Sequence, residues 1–166
     1  MTDPKRLIEK ITSRGYWRVV IRPTEFSAER VKDIAALGPL VAANVVSLRG
    51  WNFPHVARTG SSIGPDFIEN QSEWNGYLEV WRFFQSGQFY VLRGMRSDWM
   101  LEDHGKLLWT VHALYTFTEI FEFAARLATT AAGGERRDRT TTVVPPRLAG
   151  NSPGGDDAGA RRGGWG

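Results

Sequence analysis

The sequence predicts an α+β fold: a mostly antiparallel sheet with a central aromatic hairpin, and a long C-terminal helix packed on it. Two apolar, aromatic-rich runs, Tyr77 to Phe84 and Gln88 to Arg96, flank the turn residues Gln85-Ser86-Gly87. A later stretch, Leu107 to Ala128, lacks Gly and Pro and is dense in apolar residues, as expected for a helix. Short helix-like and strand-like patterns precede both.

The hairpin is expected to have a two-residue turn, because Gly87 can adopt the positive φ that such a turn requires. With Ser86 and Gly87 at its centre, Phe84 pairs with Phe89. One face of the hairpin would then hold Val80, Arg82, Phe84, Phe89, Val91 and Arg93, and the other Glu79, Trp81, Phe83, Tyr90 and Leu92. Neither face is polar, so both are expected to be covered.

The remaining elements follow from periodicity and from start and stop residues. Asp3-Pro4 predicts a helix start, and Gly15 a stop. Further predictions are a strand from Tyr16 to Arg22, a helix from Ala28 to Leu37, a strand from Val45 to Arg49, a loop from Ala57 to Asp66, a strand from Phe67 to Trp74 and a polar connection from Ser97 to Gly105. The Leu107 to Ala128 helix is apolar on more than one side and should be buried broadly.

Composition divides the chain into a single α+β domain, residues 1–130, and a tail, residues 131–166, predicted to be disordered. The tail contains nine of the 18 Gly residues and one aromatic residue, Trp165. So little apolar surface cannot offset the entropy of ordering. Two interpretations stay open: a flexible tail, or the out-of-frame product of a GC-rich gene.

Several classes of site are disfavoured by composition. The chain has no Cys, which excludes disulfides and thiolate chemistry. It shows no signal peptide and no apolar run of about 18 residues, so no membrane association and a cytoplasmic location are expected. The pI is 9.5, yet residues 1–130 hold 15 Lys and Arg against 14 Asp and Glu, so no basic domain stands out.

Three segments together resemble a bacterial protein family with no established activity. They are Arg49-Gly50-Trp51-Asn52-Phe53-Pro54-His55, the hairpin segment from Trp81 to Phe89, and Thr118 to Leu127. The resemblance covers about residues 5 to 128. It supports the existence of a fold over that range and implies no catalytic residues.

Trp51, Phe53 and His55 form the first candidate ligand site. A Trp, a Phe and a His on one Pro-stiffened segment could make a pocket for a planar ring. The alternative, which we favour, is a loop held in the core by its aromatic residues, with His55 hydrogen-bonded to backbone. An enzyme using His55 with Glu69, Glu73 or Glu79 ranks last.

Arginines on predicted strands form the second candidate site: Arg18, Arg49, Arg82 and Arg93, with Trp81 among the neighbouring rings. Guanidinium groups beside aromatic rings on a sheet can hold single-stranded nucleic acid or anionic ligands. The favoured alternative is that the arginine stems cover aromatic rings and their heads pair with Glu69, Glu73 or Glu79.

No metal site or cofactor is predicted, because His55, His104 and His112 lack metal-ligand spacing. Glu119 and Glu122 are assigned to the polar strip of the long helix, with Glu122 paired to Arg126. The sequence therefore favours a non-catalytic binding or protein-interaction domain, with a protein partner or a second copy of the chain. The alternative is a nucleic-acid-binding module that uses Arg18, Arg82, Arg93 and nearby aromatic residues.

Overall fold

The computed structural model describes residues 3–57, 60–100 and 108–134. Over these ranges the chain forms the predicted α+β fold, with one five-stranded antiparallel sheet and four α-helices. The strands are β1 (Tyr16–Ile21), β2 (Ser61–Ile63), β3 (Phe67–Trp74), β4 (Tyr77–Phe84) and β5 (Phe89–Gly94), and the helices are α1 (Pro4–Thr12), α2 (Leu37–Asn44), α3 (Arg96–Met100) and α4 (Thr110–Ala128). The sheet order is β1-β5-β4-β3-β2. The predicted tail, residues 131–166, lies almost wholly outside the described residues.

Helices α2 and α4 cover one face of the sheet, which we call the covered face. Its core contains Val19 and Ile21 from β1, Phe83 from β4, and Phe89 and Val91 from β5. From α4, the side chains of Ile120, Phe123, Ala124 and Leu127 join this core. The long C-terminal helix therefore packs on the sheet as predicted.

Among the described residues, α1 covers part of the opposite face, which we call the open face, and Trp99 of α3 packs beside it. Leu7 and Ile11 of α1 pack against Leu78, Val80 and Leu92. The helix begins as predicted, with Pro4 in its first turn and the Asp3 side chain accepting a hydrogen bond of 3.0 Å from the Lys5 amide. It ends at Thr12, before Gly15.

The predicted register of the hairpin is wrong by one residue. Phe83, not Phe84, pairs with Phe89, because the loop holds three residues, Gln85-Ser86-Gly87. The Phe84 carbonyl accepts from the Gly87 amide at 2.9 Å, and Gly87 takes a left-handed φ of 82°. A slip of one residue moves a strand's side chains to the other face.

The slip separates two candidate arginines. Arg93 lies opposite Glu79 on the covered face, whereas Arg82 lies opposite Glu69 on the open face. The prediction that Arg82 and Arg93 lie on the same face of the hairpin is therefore wrong.

Two other predicted elements are also wrong. Instead of a helix from Ala28 to Leu37, a 3-10 turn at Ile34–Ala36 leads into α2 at Leu37. Pro39 falls in the first turn of α2, where a backbone N–H is not needed, so Gly38-Pro39 does not stop the helix.

The segment from Val45 to Arg49 is not a strand. Only Val46 makes a bridge, and its partner is Phe53 in the same segment, with N···O distances of 2.7 and 2.8 Å. Residues 46–53 therefore fold back on themselves. Strand β2 and helix α3 arise where the sequence predicted a loop and a connection.

Candidate functional site

A buried network of two arginines and two glutamates lies between the sheet and α4. Strands β4 and β5 place Glu79 opposite Arg93, α4 contributes Glu119, and the folded-back segment after α2 contributes Arg49. The side chains of both glutamates are 0% exposed, and those of Arg93 and Arg49 are 7% and 11% exposed. Buried charges of this kind are retained only when they are paired.

Arg49 holds Glu119 through two nitrogens. Its Nε lies 3.0 Å from Glu119 Oε1, and its Nη2 contacts Glu119 Oε2. Nη2 also lies 3.2 Å from the hydroxyl of Thr116, one turn earlier on α4. This two-point geometry is the strongest form of an arginine–carboxylate pair.

Arg93 joins the two glutamates. Its Nε lies 3.3 Å from Glu79 Oε2, and its Nη1 lies 3.8 Å from Glu119 Oε2. Burial raises the pKa of Glu79, while Arg93 and the backbone N–H of His55 act against that rise. The four charges thus form one continuous and balanced network.

The network also anchors the segment that carries His55. The backbone N–H of His55 donates to Glu79 Oε1 at 2.7 Å, and its carbonyl accepts from the indole N–H of Trp81 at 2.7 Å. Burial and the nearby Arg93 lower the pKa of His55. The favoured alternative, a loop held in the core by its aromatic residues, agrees with the burial of Phe53. The hydrogen bonds at His55 differ from the predicted ones, because its backbone bonds to the side chains of Glu79 and Trp81.

Aromatic rings and a third arginine surround the outer side of the network. The Arg96 guanidinium lies 4.6 Å from the Trp51 ring centre and 5.7 Å from that of Tyr77. Arg49 lies 5.1 Å from the same Trp51 ring, and Arg93 donates to the Tyr77 hydroxyl. Burial raises the pKa of Tyr77, so its phenol stays neutral.

A cavity of about 40 Å³ opens beside this cluster. Arg49, Trp51, Tyr77, Arg93, Arg96 and His112 all contribute to its walls. Burial, followed by the charges of Arg49 and Arg96, lowers the pKa of His112. The cavity is therefore a compact, electropositive and aromatic site.

Apart from His55, whose backbone is bonded to Glu79 and Trp81, the candidate residues from the sequence divide into three groups. Arg49, Trp51 and Arg93 line the cavity. Phe53 and Trp81 are buried in the core, where Phe53 meets the ring of Phe123 at 5.7 Å. These two rings therefore pack in the core and do not line the cavity.

The other two arginines lie on the open face. Arg82 pairs with Glu69 at 2.6 Å and lies 5.0 Å from the ring centre of Phe67, while Arg18 lies 5.8 Å from that of Tyr90. For Arg82 and Arg93, the interpretation that their heads pair with glutamates is confirmed.

One glutamate was misassigned from the sequence. Glu119 is not on a solvated strip of α4, since its side chain is fully buried against Arg49; only Glu122 is exposed, and it pairs with Arg126 at 2.8 Å. Glu79 is buried as well, and its pairing with Arg93 is of the kind predicted for the arginine heads. A signal existed for its burial, because Glu79 is an isolated acid within a strongly apolar run. Nothing in the sequence singled out Arg96 or Tyr77.

The outward face of α4 carries a second candidate site, which we call the apolar stripe: Val111, Leu114, Tyr115 and Phe121. Their exposed fractions are 61%, 61%, 43% and 52%. The opposite side of the helix is packed on the sheet. The broad burial expected for α4 is therefore not met among the described residues, and the stripe faces outward.

No protein-family model, curated protein or solved structure matches the chain. Within residues 3–57, 60–100 and 108–134, no three His, Asp or Glu side chains are grouped as metal ligands. The same residues contain no helix that is long and apolar enough to cross a membrane.

Proposed function

We propose that the chain is a non-catalytic protein-interaction domain that binds another protein chain through the apolar stripe of α4. The observation that carries this proposal is the exposure of Val111, Leu114, Tyr115 and Phe121 along one side of a helix whose other side is fixed to the sheet. Contiguous apolar side chains on a surface mark interaction sites, whereas scattered ones do not.

The way α4 is held supports a preformed binding surface. Ile120 and Phe123 anchor it in the core, and the pairing of Glu119 with Arg49 ties it to the segment after α2. A helix fixed on one side presents its outer side chains without a further ordering cost on binding.

The experiment compares wild type with the double variant Leu114→Glu/Phe121→Glu and with the control Ile63→Glu. Ile63 lies on β2 with 73% of its side chain exposed, so the control adds a charge at an exposed apolar site away from α4. We would measure the mass of each purified protein by light scattering after size exclusion. In a second experiment, the chain would carry a photo-crosslinking residue at position 115 and be irradiated in native lysate.

We expect wild type and Ile63→Glu to form the same complex and the double variant to lose it at least tenfold in affinity. A doubled mass of the purified chain would identify a second copy as the partner, and a crosslinked protein of other sequence would identify a different chain. A monomeric wild type without a crosslinked protein would contradict the proposal.

Nucleic-acid binding through the open face is the second candidate. It is supported by Arg18 and Arg82, which lie on that face next to the rings of Tyr90 and Phe67. Arg93 can no longer be part of it, and Arg82 is paired with Glu69. Binding of a fluorescent single-stranded oligonucleotide should be weakened by Arg18→Met. It should also be weakened by salt, because phosphate contacts release counterions. No binding at low salt would remove this candidate.

A further inference from the structure

The cavity beside the ionic network carries an excess of positive charge. Arg49, Arg93, Glu79 and Glu119 balance one another, and Arg96 adds one more cation at the edge. Among the described residues, Arg96 has no carboxylate within salt-bridge distance; its Nε faces the sulfur of Met100 at 3.0 Å. A single uncompensated guanidinium on aromatic rings suits a monoanion.

The groups without a hydrogen-bond partner at this cavity are mainly donors. Arg93 is 6% exposed, and its Nη1, which lies 3.8 Å from Glu119 Oε2, has no hydrogen-bond partner within the described part of the chain. The indole N–H of Trp51 has none there either. The Tyr77 hydroxyl accepts from Arg93, which leaves its own proton available to donate. Glu79 Oε2 is the one acceptor of the network that also lacks a hydrogen bond among the described residues, and it already lies 3.3 Å from Arg93 Nε. Because Trp51, Tyr77 and Arg93 line the cavity, a ligand that supplies acceptor oxygens suits these walls better than one that supplies donors.

The aromatic residues that line the cavity indicate which group accompanies the carboxylate in a ligand. Trp51, Tyr77 and Trp109 contribute rings, and Trp109 lies 5.1 Å from the His112 ring. Rings on several sides favour a flat apolar group, and the cavity volume of about 40 Å³ limits the enclosed part to a few heavy atoms. We propose that this cavity binds the carboxylate of a small aromatic monocarboxylic acid, with Arg96 as the main charge partner and Trp51 and Trp109 against its ring.

The test uses benzoate as the probe, with the full chain at constant ionic strength. Binding is followed by calorimetry and by tryptophan fluorescence, with benzamide as the neutral isostere, acetate as the carboxylate without a ring, and inorganic phosphate as the competing oxyanion. Arg96→Met removes the charge and keeps the stem. Arg18→Met is the matched control, because Arg18 also lies over a ring, that of Tyr90, but on the open face.

We expect saturable binding of benzoate that is at least tenfold tighter than that of benzamide, acetate or phosphate. Arg96→Met should weaken it at least tenfold, and Arg18→Met should leave it within twofold. Trp109→Ala, at a half-exposed residue, should weaken the binding of benzoate more than that of acetate. This variant tests the proposal if Arg96→Met fails to fold. Equal binding of benzamide, tighter binding of phosphate, an unchanged Arg96→Met, or no saturable binding by wild type would each overturn the proposal.

Discussion

The sheet contains two cross-strand pairs of the same chemistry in different surroundings. Arg93 lies directly opposite Glu79 on the covered face, and Arg82 lies directly opposite Glu69 on the open face. The exposed fractions of the first pair are 7% and 0%, and those of the second are 41% and 4%. Strand pairing places both pairs equally well, so the difference between them comes from the layer that covers each face.

The covering layer changes what an arginine does. On the covered face, α4 contributes Glu119 and the folded-back segment after α2 contributes Arg49. Arg93 therefore belongs to a network of four charges excluded from water. On the open face the Arg82 guanidinium keeps much of its hydration. Removal of one member from a buried network leaves an unpaired charge in a medium of low dielectric, whereas an exposed pair contributes little.

The largest effect is expected from Glu119→Ala. It leaves Arg49 without its carboxylate and removes one of two from Arg93, so the free energy of unfolding should fall by about 3–5 kcal/mol. Urea denaturation at neutral pH measures it. The matched control is Glu122→Ala on the same helix; Glu122 is exposed and paired with Arg126, so the expected loss is about 0.5 kcal/mol or less.

Equal losses for Glu119→Ala and Glu122→Ala would show that the buried network does not stabilise the fold. A loss of both pairing and α4 packing would instead appear as a changed denaturant slope as well as a changed midpoint.

A smaller effect is expected at the open-face pair. A double-mutant cycle with Arg82→Met and Glu69→Gln should give a coupling energy of about 0.2–1 kcal/mol, and high salt should reduce it because the guanidinium is exposed. The same cycle with Arg93→Met and Glu79→Gln should give a larger coupling energy that salt hardly changes. A salt-insensitive coupling at Arg82 would mean that this face is covered in solution.

The comparison also shows what the sequence can predict. Helix α1, strands β1 and β3, the location of the hairpin and helix α4 follow from local pattern and caps. The register does not, because Ser86-Gly87 fits both a two-residue turn and the end of a three-residue loop. The difference of one loop residue decides whether Arg93 lies on the same face as Arg82 or on the same face as Glu79. The partners of both arginines could therefore not be predicted.

The candidate site was predicted as separate residues rather than as a site. Arg49, Trp51 and Arg93 were selected for their chemistry, but their meeting depends on α4 crossing the sheet where Glu119 faces inward. Helical periodicity places Glu119 near a polar neighbour, Glu122. It cannot show that the Arg49 guanidinium lies beside Glu119 on the side of α4 that faces the sheet. Tertiary contact, not local preference, made this acid a buried one.

The smallest expected effect is a pH dependence that arises at the covered face. The pKa of His112 lies below its ordinary 6.5 because of burial and the charges of Arg49 and Arg96, so the unfolded chain binds a proton there more readily than the folded chain does. The stabilisation linked to His112 is thus complete above pH 6.5 and is lost as the pH falls through the folded-state pKa. The pKa of Glu79 is raised, so its contribution has the opposite sign: it is complete below the pKa of the unfolded chain and is lost as the pH rises through the folded-state pKa.

Urea denaturation of wild type and His112→Gln at pH 7.5 and 5.5 separates these two contributions. The variant should lose less stability on acidification than wild type does, because it lacks one of the side chains, His55 and His112, that the unfolded chain protonates more readily than the folded chain does. Glu79→Gln removes a contribution of the opposite sign, so its loss of stability on acidification should be no smaller than that of wild type. Identical pH profiles for all three proteins would mean that the positive charge around the cavity is neutralised in solution, and the same result would remove the electrostatic basis for carboxylate binding beside Arg96.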